Sequence, residues 1–207
     1  MFASFSDELL KIARDYKTHR GLQGKLEPGD ILLTSFKYVD PAKMRGRQLT
    51  KSEQAVWDAF RATSRRYQGE HEHSAIYAGK GRVIETGPPH GAQLKPLEHM
   101  TGGRGTITAV RPELSATQRR QAVQRARQLL GTRYSIPRLV RAGMANHVKL
   151  KPEKVPDRRK HQYICSTLVG DAYDKVPFNE RKPNDALMPA DFYRSGLTKV
   201  VARKMPS

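Results

Sequence analysis

The chain has 207 residues, 37% of them apolar: enough for one core, with no apolar run near the roughly 18 residues of a membrane span. Thirty-eight Lys and Arg stand against 20 Asp and Glu, and this net charge of +18 points to a polyanion, either nucleic acid or an anionic envelope, or to an acidic partner. The single cysteine excludes an internal disulfide and a zinc site built mainly from thiolates. Met1 to Glu8 lacks the basic start and apolar core of a secretory signal, so the expected location is cytoplasmic or virion-packaged.

Residues 1–24 read as an N-terminal unit. Ser6 caps an amphipathic helix whose stripe is Leu9, Leu10, Ile12, Ala13 and Tyr16, and Gly21 and Gly24 end it. Residues 25–207 form the main domain. Leu26 to Asp30 is a turn and Ile31 to Thr34 a short buried strand. Thr50 and Glu53 form a capping box, opening a helix through Val56, Trp57 and Phe60 that inserts at about 50–68.

Glu72 to Ala78 and Arg82 to Thr86 predict a hairpin. A three-residue loop, Gly79-Lys80-Gly81, would pair Ile76 with Ile84 and place His73 and Glu85 as diagonal neighbours on one face. A two-residue loop would separate them. Gly91 to Leu97 and Thr106 to Arg111 are further strands, joined by a Gly102 to Gly105 turn. Ser115 caps a helix that runs to Leu130 and stops at Gly131. The stretch 132–161 is basic and broken by prolines, an insertion suited to a lid or binding loop. Met188 to Tyr193 starts a last short helix and Leu197 to Ala202 a last strand. The expected class is α+β, a small antiparallel sheet or partial barrel with packed helices.

Cys165 opens a helical run with Leu168, Val169 and Ala172 at helical spacing. A thiol at a helix N-terminus lies at the positive end of the dipole, which favours the nucleophilic thiolate. A catalytic cysteine also needs a base and a group to orient that base, and His73 with Glu85 is the best pair in the chain. Each has a plainer reading. Cys165 suits a small buried hydrophobe, His73 a structural histidine, and Glu85 a strand-end charge paired with an arginine. His71 with His73 lacks a third metal ligand at a recognisable spacing, so neither metal nor cofactor is expected. His90, His99, His147 and His161 have no motif and read as surface residues.

Taken together, Gly29-Asp30-Ile31-Leu32, His73-Ser74-Ala75-Ile76-Tyr77, Val83-Ile84-Glu85, Gly131-Thr132-Arg133-Tyr134 and Tyr163-Ile164-Cys165-Ser166-Thr167-Leu168-Val169 resemble the circularly permuted branch of the NlpC-type papain-like cysteine peptidases, the YiiX-like group. Met188 to Phe192 is similar to that group's C-terminal segment. The order His, Glu, Cys carries much of the likeness, because ordinary papain-like enzymes place the cysteine first. The resemblance implies a permuted papain-like fold with Cys165 as nucleophile, His73 as base and then acid, and Glu85 orienting His73. Tyr163 is a looser auxiliary candidate near the oxyanion and fits the core equally well.

The implied activity is hydrolysis of an amide or ester through an acyl-enzyme, on a peptide (such as a cell-wall peptide) or a lipid amide. One alternative is a basic nucleic-acid-associated protein of a virion or nucleoid on an inherited, inactive hydrolase fold. Another is a lipid-directed acyltransferase using the same residues.

Overall fold

The structure, a computed structural model, describes residues 21–35, 71–88, 90–101, 106–135, 138–139, 162–174, 176–182 and 187–204. The expected helix over Ser6 to Tyr16, the insertion at 50–68, the Gly102 to Gly105 turn, His147, His161 and most of the basic stretch 132–161 lie outside these residues. Among them, no helix is long and apolar enough to cross a membrane.

The strands are β1 (Ile31–Ser35), β2 (His73–Gly79), β3 (Arg82–Gly87), β4 (Gly91–Pro96), β5 (Thr106–Pro112) and, at the C-terminal end, β8 (Thr198–Lys204). They form one antiparallel sheet in the order β4-β3-β2-β1-β5-β8. Central β1 and β2 are apolar on both faces because both faces are covered. Ile31, Leu33, Ile76 and Ile84 pack under three helices, α2 (Ala116–Gln128), α3 (Cys165–Ala172) and α4 (Pro189–Arg194). Leu32, Ala75, Tyr77 and Val83 pack on the other side with Leu22, Leu26, Leu97 and Met100. The class is α+β, as the order of elements predicts.

The β2–β3 turn departs from expectation in detail and agrees in result. The connection is the two-residue pair Lys80-Gly81, with φ of 51° and 67°, both in the left-handed region that such a turn demands. Gly79, at φ 87°, sits in a bulge, and the ladder shifts between Tyr77 and Gly79. The bulge adds one residue to β2, so Ile76 still faces Ile84 and His73 and Glu85 keep the same parity.

β4 ends one residue earlier than expected. Leu97–Thr101 forms a one-turn helix, α1, too short to show a helical period in the sequence. At the start of β4, Gly91 has φ 73°, and a Cβ there would lie 2.0 Å from the Thr132 carbonyl oxygen. That close approach lets Ala92 donate its N–H to Thr132 O and accept one from Gly131. It fixes the chain that continues into β6 (Arg133–Tyr134), which pairs in parallel with β7 (Gln162–Tyr163), immediately before Cys165. No sequence signal announced this pair.

Ser115 caps α2 as expected, in a capping box with Gln118. The arginine run on α2 divides between inside and outside. Arg119 donates to Glu27 at 2.5 Å, and Arg125 Nε donates to the Ala172 carbonyl at 2.7 Å, satisfying the C-terminal end of α3. Only Arg120 and Arg127 are exposed. Arg111 makes a bidentate pair with the fully buried Asp30, at 2.8 and 2.9 Å, and reaches Glu27 at 2.7 Å. Tyr173, just after α3, donates to the Gly29 carbonyl. The Gly29-Asp30 turn is therefore tied to β5, α2 and the end of α3 at once.

Candidate active site

Cys165 is the first residue of α3 and is 7% exposed. Its helix start is held by Thr167, whose hydroxyl accepts the Ile164 N–H at 3.0 Å, and by Ser166, whose hydroxyl donates to Leu187 O at 2.5 Å. These bonds fix the first turn against the segment leading into α4. The contacts of α3 with β2 and β3 bring its N-terminus to the beginning of β2, where His73 stands.

His73 Nε2 lies 2.8 Å from Glu85 Oε2. A carboxylate accepts, so Nε2 carries the proton and Nδ1 is left to meet the thiol. His73 is hydrogen-bonded to Cys165. Cys165, His73 and Glu85, grouped in the sequence as thiol, base and orienting carboxylate, thus form one connected line. Ser74 adjoins it. Its backbone N–H and its buried hydroxyl both act to favour the charged sulfur.

The electrostatics follow from these contacts. Burial resists charge on both the thiol and the imidazole. It would raise Cys165, but the His73 hydrogen bond and charge, with the Ser74 donors, outweigh it and hold the thiol below its ordinary value. Burial would lower His73, but Cys165 and then Glu85 outweigh it and raise the imidazole above its ordinary value. Both shifts favour a thiolate–imidazolium pair. Burial also opposes ionisation of Glu85, yet His73 and then Lys95 bring it from 4.5 down to about 2.

Tyr163 packs partly buried against the core, with Arg138 over its ring at 5.5 Å, and its phenol is held above its ordinary value, first by burial and then by Asp171 on α3. The phenol on which the charge of Cys165 acts is Tyr134, held well above its ordinary value by burial and then by that charge. The Gly131 to Tyr134 string was visible in the sequence. What assigns it a place is the β6–β7 pairing, which the sequence did not show. His71 is buried edge-on against Tyr193, ring centroids 4.8 Å apart. Among the described residues, no group of three His, Cys, Asp or Glu is placed to hold a metal ion.

His99 lies at the surface, as expected, and still reaches the site. Its side chain is 53% exposed, yet Nε2 lies 3.3 Å from Glu85 Oε1 and 3.1 Å from Lys95 Nζ. Compared with models of known protein families and with curated proteins, the chain matches neither.

Proposed function

We propose that the protein is a cysteine hydrolase of the permuted papain-like type, acting on an amide or ester through an acyl-enzyme on Cys165. The observation that carries this reading is the buried line from the thiol at the start of α3, through His73, to Glu85, with a single bond of 2.8 Å fixing which imidazole nitrogen faces the sulfur.

In the first step the thiolate attacks the carbonyl carbon. A C–S bond forms and the π electrons move to oxygen. The oxyanion is met by backbone N–H groups at the start of α3, Cys165's own among them. Collapse expels the amine or alcohol, which takes the Nδ1 proton of His73. Neutral His73 then takes a proton from water, the hydroxide adds to the thioester, and the thiolate leaves as the acid is released. Glu85 holds the ring throughout by accepting from Nε2.

The cleaved bond belongs to a peptide, with cell-wall peptides first in line because a chain of charge +18 is drawn to an anionic envelope. The test is to incubate the protein with an activated acyl ester and with a peptide panel and look for the adduct by mass spectrometry. An acyl group on Cys165 that disappears in Cys165→Ala supports the reading. Turnover that persists in Cys165→Ala refutes it.

The same net charge favours a second reading, a basic nucleic-acid-associated protein of a virion or nucleoid on this fold. Exposed Arg120, Arg127, Arg133, Lys199 and Arg203 would supply phosphate contacts. Binding to duplex DNA that weakens steeply with salt supports it, and salt-independent or absent binding removes it.

A further inference from the structure

Glu85 uses both of its oxygens. Oε2 faces His73, and Oε1 lies 2.9 Å from Lys95 Nζ. Lys95 comes from β4, where it pairs with Val83, two residues before Glu85, so its side chain crosses diagonally to the carboxylate. The ammonium is itself held, at 3.1 Å from His99 Nε2 on α1. One nitrogen of His99 is near both groups. With its proton on Nδ1, His99 accepts from Lys95 at Nε2; with a proton on Nε2, it donates to Glu85 instead. The Glu85 side chain is only 9% exposed, whereas Lys95 and His99 reach solvent at 26% and 53%. The carboxylate therefore has the imidazole on its inner side and a lysine–histidine clamp on its outer side.

We infer that Lys95 is a positioning residue for the candidate site, acting through Glu85, with His99 seating its ammonium. A carboxylate buried this deeply with one oxygen unmatched either takes up a proton or turns towards water. In both cases His73 loses the acceptor that fixes its ring and supports its charge. Lys95 prevents both by filling Oε1, which leaves Oε2 to His73. The inference rests on the thiol–imidazole–carboxylate reading above.

Its direction can be checked against a plain field effect. Lys95 is a cation a few ångströms beyond Glu85. If it acted only through its field, removing it would ease formation of the His73 imidazolium and speed the thiol. Positioning predicts the opposite sign.

The experiment measures the alkylation rate of Cys165 by iodoacetamide at about pH 6 in the full chain, in wild type, Lys95→Met, Lys95→Arg, Glu85→Gln and the double variant Lys95→Met/Glu85→Gln. The expected result is a loss on the order of tenfold in Lys95→Met, equivalent to about one pKa unit in the thiol. Most of it should return in Lys95→Arg, which keeps the cation and shows that the position tolerates change. No further loss should follow when Lys95→Met is added to Glu85→Gln, because the route through Glu85 is already broken.

A rate in Lys95→Met equal to or above wild type overturns the inference, as does an equal loss in both backgrounds. If Glu85→Gln alone leaves the rate unchanged, the thiol–imidazole–carboxylate reading fails and Lys95 with it. If Glu85→Gln slows the thiol and Lys95→Met does not, only the role of Lys95 falls.

Discussion

Among the described residues, two ionic clusters that reach into the core do different work. In one, Asp30 and Glu27 meet Arg111 and Arg119 beside the Gly29 turn. Two carboxylates balance two guanidiniums, and an arginine does not give up its proton in a protein. This cluster contains no thiol and no imidazole. It ties the turn before β1 to β5 and α2. In the other, Cys165, His73, Glu85 and Lys95 are equally connected, but a thiol and an imidazole share a movable proton. Burial makes the first rigid. In the second, burial sharpens the competition between charged and neutral forms, and that competition is the basis of nucleophilic catalysis.

The contrast can be broken from either side. Cys165→Ala should bring hydrolysis of an activated ester to the buffer rate while leaving the melting curve nearly unchanged. His73→Ala should lower turnover by about 10²–10⁴-fold, the range for a lost general acid–base, as measured by initial rates on the same ester. Arg111→Met should do the reverse. It strands the fully buried Asp30, and leaving a buried charge uncompensated costs about 3–5 kcal/mol in denaturant unfolding. The pH dependence of thiol alkylation should stay as in wild type in the fraction that remains folded. Gly91→Ala should cost about 1–3 kcal/mol, because it demands a positive φ and meets the Thr132 carbonyl. Its second effect should fall on the site, through the β6 strand that carries Tyr134.

Stability itself should depend on pH, with a sign that differs at the two ends. His73 is raised from 6.5 to about 10, so its contribution is complete below pH 6.5 and is lost as pH rises through about 10. Glu85 is lowered from 4.5 to about 2, so its contribution is present above pH 4.5 and is lost as pH falls through about 2. In His73→Ala the alkaline loss should vanish, and the acid loss should shrink because Glu85 keeps only its outer partners. Thermal melts from pH 3 to 10 check both.

Much of this site was legible in the chain. Three things made it so: a lone cysteine opening a helical run, a histidine and a glutamate of matching parity across a hairpin, and a serine cap before α2. The hairpin register came out right although the turn is two residues with a bulge, because the same glycine and lysine triplet serves either geometry. Other features were hidden because they depend on distant segments meeting. Lys95 and His99 carry no motif, and only the β3–β4 register and the one-turn α1 bring them to Glu85. Tyr134 and Ser74 lay in strings already noted, but their places come from the β6–β7 pairing and the docking of α3 on β2. Arg119 and Arg125 turn inward from a run of arginines on α2, and a charge run does not reveal which members find a carboxylate or a helix end.

The most direct test is the apparent pKa of the Cys165 thiol, read from its alkylation rate across pH in wild type and His73→Ala. A buried thiolate–imidazolium pair predicts a wild-type value well below the reference of about 8.5 and a clear rise in His73→Ala. A thiol that titrates at its ordinary value, or is inert, and does not respond to His73 would contradict the pair and leave Cys165 as a structural residue.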